Sequence, residues 1–199
     1  MNRTAILLAV FHISMATGLA QSGPVQNTPY KGPSCIAGFC LYKTPLLTEK
    51  ELVVQYGQGT KIGVIRCYGV PQQHAYIHFS GELHAPGQIV TIFVSHDRNC
   101  FPSTEKLATS KTPFPPLQTN EGIRLGDPYA KLISVYGPPS SKRDGPDGLG
   151  QIVPYSRERE DSPFGETVLV YDGAPDELIQ AKFYLHRGKI YAMYISCSE

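Results

Sequence analysis

Apolar positions in this chain follow two periods, and each period marks its own kind of element. Tyr129, Leu132, Ile133 and Tyr136 fall at i, i+3, i+4 and i+7, which is one face of a helix. Asp127 stands where an N-cap belongs, and Pro128 suits the first helical position. Gly137 is placed to end the helix, and Pro138-Pro139 forbids its continuation. An earlier segment carries the same device in different letters. Thr48 and Glu51 make a T-x-x-E capping box, and Leu47 and Leu52 flank it as a hydrophobic staple. Leu52, Val53, Tyr56 and Gly57 then match Leu132, Ile133, Tyr136 and Gly137.

After each helix the apolar period shortens to two, the mark of strands with one buried face. The first set of predicted strands covers 64–68, 75–80 and 88–95, and the second covers 167–171, 179–185 and 189–196. Gly87-Gln-Ile-Val-Thr-Ile-Phe-Val-Ser95 matches Gly188-Lys-Ile-Tyr-Ala-Met-Tyr-Ile-Ser196, and Gly188 reads as a hairpin residue. A helix followed by strands thus occurs twice, which is an internal repeat. The fold class expected is α+β, as two tandem units. Each is a short helical segment packed on a small antiparallel β-sheet of three or four strands. The first unit spans 35–100 and the second 122–199. A Pro-rich linker, 101–121, separates them, and a long loop, 138–165, interrupts the second.

Alternation also sorts the strand residues into two faces. Val90, Ile92 and Val94, with Tyr191, Met193 and Ile195, form a wholly apolar set that should meet the helices. Ile77 and Phe79, matched with Phe183 and Leu185, join it as core. The opposite set is mixed: Ile89, Thr91, Phe93 and Ser95, with Ile190, Ala192, Tyr194 and Ser196. The preceding strands add Tyr76, His78, Lys182 and Tyr184 to this open face. Tyr76, His78, Phe93, Tyr184 and Tyr194 are therefore the expected partner-binding residues, because aromatic, partly polar surfaces are typical of protein–protein contact cores. The competing reading packs these rings on one another or under the linker.

The motif Gly122-Ile-Arg-Leu-Gly-Asp-Pro-Tyr-Ala-Lys-Leu-Ile-Ser-Val-Tyr-Gly-Pro-Pro139 resembles the helix signature of the outer-membrane assembly lipoproteins of the SmpA/OmlA type. The same unit, doubled, builds the secreted beta-lactamase inhibitor proteins. The resemblance covers Gly122–Pro139 well and 182–196 moderately. It implies a helix on a small antiparallel sheet and a protein-binding role. It transfers no contact residue, and this chain lacks the lipobox of the lipoproteins.

The start of the chain adds an address. Met1-Asn2-Arg3 is a short basic region, residues 5–13 are apolar except for His12, and Gly18-Leu19-Ala20 offers small residues before a cleavage point. This is the tripartite pattern of a secretory signal peptide over 1–20, followed by a flexible arm over 21–34. The apolar stretch is too short to span a bilayer. The expected location is secreted or periplasmic, with no integral membrane segment.

Export changes how the five cysteines are read, since thiols pair in oxidising compartments. Cys35 with Cys40 would close a short loop, and Cys67 with Cys100 would tie the first unit together. Cys197 is the natural orphan, although sequence leaves the connectivity open. The spacing of a zinc cluster is missing. A formal charge of +1, with both signs interspersed, gives no footprint for nucleic acid.

No catalytic residue and no cofactor emerges. There is no G-x-S-x-G, no HExxH, and no GK[ST] ending to the glycine-rich stretches. Cys197 has no histidine near it along the chain. His74, His78, His84 and His96 cluster in the first unit beside Glu82 and Asp97. Three of them with a carboxylate would bind zinc, but their spacing is that of scattered surface histidines. The leading expectation is a non-enzymatic module binding an unidentified protein, inhibition of a secreted hydrolase being one version. A metal-dependent hydrolase using these histidines and a structural cell-envelope component are the alternatives.

Overall fold

The computed structural model describes residues 30–41, 47–81, 87–96, 108–144, 167–173 and 179–197. The proposed signal peptide, most of the flexible arm, Cys100, His84 and most of the 138–165 loop lie outside them. The chain opens with a small hairpin, β1 (Cys35–Ile36) and β2 (Phe39–Cys40). Helix α1 (Glu49–Tyr56) follows, then β3 (Thr60–Ile62), β4 (Ile65–Val70), β5 (Ala75–Gly81) and β6 (Ile89–Ser95). The second half has α2 (Tyr129–Tyr136), β7 (Ser141–Asp144), β8 (Thr167–Asp172), β9 (Ile179–His186) and β10 (Lys189–Cys197). No helix among the described residues is long and apolar enough to cross a membrane.

The expectation of two helix-on-sheet units is overturned. Strands β3 to β10 form one antiparallel sheet in the order β3-β4-β5-β6-β10-β9-β8-β7, and the hairpin is a second, two-stranded sheet. The reason lies in the last strand of each half. Strands β6 and β10 are apolar on both faces, so neither can end a sheet without exposing an unpaired edge. They pair with each other instead, Phe93 opposite Tyr194 and Val94 opposite Met193. The strand order rises through the first half and falls through the second, so Phe93 and its sequence match Tyr194 face each other at the midline.

Both helices lie on one side of this sheet and bury Leu52, Tyr56, Leu132 and Tyr136 in a single core. Helix α1 starts as its sequence dictates. The Thr48 hydroxyl accepts from the Glu51 N–H, and the Glu51 carboxylate accepts from the Thr48 N–H. In α2 the cap shifts by one residue. Pro128 takes the N-cap position, and the Asp127 carboxylate instead accepts from the Arg124 N–H (2.9 Å) and the Lys131 ammonium (2.7 Å). Tyr129, expected on the buried face, is exposed.

Both helices stop at a glycine of positive φ, Gly57 (86°) and Gly137 (75°), a conformation that penalises any side chain. Each stop is held from the sheet by a tyrosine. Tyr68 on β4 donates its hydroxyl hydrogen to the Gly57 carbonyl (2.9 Å), and Tyr171 on β8 donates to the Gly137 carbonyl (3.0 Å). Around each latch stands a trio of rings. Tyr56, Tyr68 and Phe79 in the first half correspond to Tyr136, Tyr171 and Phe183 in the second, with neighbouring centroids 5.8–6.4 Å apart. The strand matching is therefore Phe79 to Phe183, two residues away from the alignment read in the sequence.

The first trio is larger because two further segments plug it. Cys35 and Cys40 form a disulfide across the hairpin, and Ile36, Ala37 and Leu41 are buried. Phe39 meets Phe79, Tyr56 and Phe114 edge-on. The Pro-rich segment contributes Phe114, stacked on Tyr56 at 4.1 Å, together with buried Leu117 and Ile123. From residue 108 onward this expected linker is packed against the sheet, Thr109 bridging Gly69 and Thr119 bridging Ile36.

Two irregularities change which residues face the helices. The register shifts between Ile190 and Ala192 on β10, and between Ser80 and Gly81 where β5 meets β6. A bulge offsets the alternation by one residue. Ile89 and Ile190 therefore join the helix-side core, and Tyr191 joins the opposite side.

Removing a latch hydroxyl should cost about 1 kcal/mol, the net worth of a buried hydrogen bond. Tyr68→Phe and Tyr171→Phe should each lower the urea midpoint by a similar amount and together by the sum. Either variant matching wild-type stability would show that the latch contributes nothing.

Candidate functional site

The side of the sheet away from the helices gathers the residues singled out from sequence. Alternation along β5, β6, β9 and β10 puts Tyr76, His78, Phe93, Tyr184 and Tyr194 there, with Cys67, Val168, Val170 and Ala192. The His78 ring meets Phe93 edge-on at 5.1 Å, and Phe93 meets Tyr184 edge-on at 6.3 Å. The Lys182 ammonium sits 5.6 Å from the centre of the Tyr194 ring, within cation–π range.

This face is not uniformly open. His78 is 5% exposed, Phe93 2% and Tyr184 0%, whereas Tyr76, Tyr191, Tyr194 and Lys182 are half-buried. Of the five expected binding residues, three are therefore interior and two are reachable. Tyr191 is a reachable ring that strict alternation misses, because the β10 bulge turns it to this side. The only sequence sign of that bulge is that Ile190 and Tyr191 are both large and apolar.

Burial sets the chemistry of His78. Desolvation disfavours the imidazolium and lowers its pKa to about 3 from an ordinary 6.5. It is a neutral, apolar-packed ring at physiological pH. Cys67 lies opposite it on β4, with Sγ 3.9 Å from His78 Nδ1. A thiol beside an imidazole has the composition of a nucleophile–base pair. Here both groups are interior and the imidazole is held neutral, which are the wrong conditions for making a thiolate that meets a substrate.

Among the described residues, His74 and His96 meet each other and not His78. His74 ends the 3-10 turn Pro71–Gln73 in a left-handed conformation (φ 47°), and its carbonyl accepts from His96 Nδ1 at 3.0 Å. Among the described residues no three of histidine, cysteine, aspartate and glutamate gather as a metal site would need. Glu82, His84 and Asp97 lie outside those residues. Of the expected disulfides, Cys35–Cys40 is formed, and Cys67–Cys100 falls partly outside because Cys100 does.

A second feature has no counterpart in the sequence reading. A cleft of about 240 Å³ opens at the end of the sheet, lined by Gln73, Ala75, His96, Pro116, Leu117, Gln118, Arg124 and Leu125. Its walls come from the β5 start, the β6 end and the segment joining the halves. These meet only through the fold, so no spacing along the chain announces them.

No protein-family model matches this chain, and no curated protein does. Among solved structures, a DUF4309 family protein from Bacillus subtilis is similar at 16% identity. The match covers 86% of this chain and 92% of that one, with a TM-score of 0.45.

The lowered His78 pKa makes stability sensitive to acid. Between pH 6.5 and about 3 the unfolded chain binds a proton at this site that the folded chain refuses. Stability is then complete above pH 6.5 and falls as pH drops through that window, at up to about 1.4 kcal/mol per pH unit. Urea unfolding at pH 7, 5 and 4 should show a shallower acid loss for His78→Gln than for wild type. Parallel curves for the two proteins would mean that His78 is not desolvated in the fold.

Proposed function

We propose that this chain is an extracytoplasmic, non-enzymatic module that binds a partner protein through the tyrosine strip of the helix-free sheet face. Inhibition of a secreted hydrolase is one form such binding takes. The observation that carries the reading is the make-up of that face. Tyr76, Tyr191 and Tyr194 are half-buried and pack against a buried cluster that includes Phe93 and Tyr184, and Lys182 stands over Tyr194. Rings already packed against buried neighbours lose little conformational freedom on binding. Partly exposed tyrosine presents an apolar body with a polar tip, the composition of interface anchors. The Cys35–Cys40 disulfide agrees with the oxidising compartment that the signal-like leader indicates. The likeness of residues 122–139 to the SmpA/OmlA and beta-lactamase inhibitor superfamily supports the same reading, since its members bind proteins.

Burial decides which substitutions test this. Phe93→Ala truncates an interior ring and should cost about 3–5 kcal/mol, so it reports on the core. Tyr76→Ala combined with Tyr194→Ala removes reachable rings. The double variant should keep a cooperative thermal transition and lose cross-linking to the partner that the wild-type chain captures from the culture medium or envelope fraction of its own organism. Undiminished cross-linking by a folded double variant would rule the strip out as the contact surface.

A further inference from the structure

We propose that the cleft at the sheet end is a binding site for a small carboxylate with an apolar body. Its floor and walls divide by chemistry. Ala75, Pro116, Leu117 and Leu125 supply apolar surface. Gln73, Gln118, His96 and Arg124 supply hydrogen-bonding groups, and among the described residues no acidic side chain lines the cleft. Apolar walls with a few placed polar groups are the usual make-up of a small-molecule site.

The polar groups are held rather than loose. Gln73 clamps the wall at two points: its Nε2 donates to the Pro115 carbonyl (3.0 Å), and its Oε1 accepts from the Leu117 N–H (2.7 Å). The Gln118 N–H donates to the Pro116 carbonyl (2.8 Å), and Gln118 bridges Arg124 across the mouth of the 119–123 turn. His96 is fixed by its Nδ1–H bond to the His74 carbonyl. That bond holds the ring in place at the edge of the cleft and leaves Nε2 an acceptor, so the N–H donors for a carboxylate come from Arg124. His74 presents this carbonyl from a left-handed conformation, which is uncommon outside glycine. Arg124 brings a guanidinium to the lining. Its side chain is 69% exposed, and its Nε lies 3.9 Å from Asp127, beyond hydrogen-bond distance, so its fork retains donors for an incoming carboxylate.

Size narrows the ligand further. An apolar cavity of about 150 Å³ accommodates benzene, so about 240 Å³ has room for a ring or branched aliphatic group together with one carboxylate. The His96 ring adjoins Tyr191 of the strip (centroids 6.4 Å), but the described lining holds none of the strip's tyrosines, and the test of the cleft does not depend on the partner-binding reading.

The test uses benzoate as the probe, with benzamidine and benzyl alcohol as cationic and neutral controls of similar shape. Amide chemical shifts of the whole protein are followed during titration. Benzoate should give saturable shifts concentrated at residues 73–75, 96, 117–118 and 124–125, with a Kd on the order of 1 mM. The two controls should bind at least about tenfold more weakly. Arg124→Gln, a change at an exposed side chain, should preserve the spectrum elsewhere and weaken benzoate by about tenfold. The proposal is overturned if benzoate shows no saturable shifts there, if benzamidine matches it, or if Arg124→Gln leaves its affinity unchanged.

Discussion

The pairing of β6 with β10 is the contact on which the rest of this structure depends. It joins residues 91–95 to residues 192–196, distant in sequence, and turns two four-stranded halves into one sheet. Neither strand can be left at an edge. On the helix side, Ile92 and Val94 meet Met193 and Ile195, all buried, and on the other side Phe93 is 2% exposed. Separating the halves would expose both faces of this seam and a row of unpaired backbone groups. The hydrophobic effect and backbone hydrogen bonding therefore act in the same direction at the midline.

From this seam the two halves build outward in the same way. Each has an eight-residue helix on the same side, stopped by a glycine whose carbonyl is held by a sheet tyrosine. The outermost strands, β3 and β7, are short, and β7 carries Lys142, Arg143 and Asp144. Short, charged edges are a standard protection against further strand addition. The halves differ where the first is plugged by the disulfide hairpin and by Phe114. The second half meets a different constraint: Tyr136 reaches Thr119 and Glu121, and burial, followed by the Glu121 carboxylate, raises its pKa. The connecting segment thus contacts both halves of the one core, which is why it packs from residue 108 onward.

The helices and most strands were legible in the sequence because their signals are local. The T-x-x-E box, the Gly57 and Gly137 stops and the alternation of β5 and β6 each lie within a few residues. The joining of the halves was not legible, because strand alternation says which face is apolar and is silent on which strand lies alongside. The same limit explains Tyr191 and Ile190, whose exchange of faces follows from a bulge with no local marker. It explains Phe114 and Leu117 too, since proline-rich composition describes the backbone of a segment and not the pocket its side chains fill. Of the candidate site, membership of the face was readable from period two, and burial was not. His78, Phe93 and Tyr184 occupy the middle of a wide sheet, a position that exists only once the seam has formed.

That dependence carries through to function. The tyrosine strip draws Tyr76 from the first half and Tyr191 and Tyr194 from the second, and the cleft draws His96 and Arg124 from either side of the connecting segment. Both candidate sites are products of one continuous sheet. Native-state hydrogen exchange across a series of low denaturant concentrations tests that continuity most directly. The account predicts that slow amides of β4, β5, β6, β8, β9 and β10 converge on one opening free energy with one denaturant dependence. Amides of the first half converging on a different free energy and a smaller denaturant dependence than those of the second would contradict it, because the halves would then open as separate bodies.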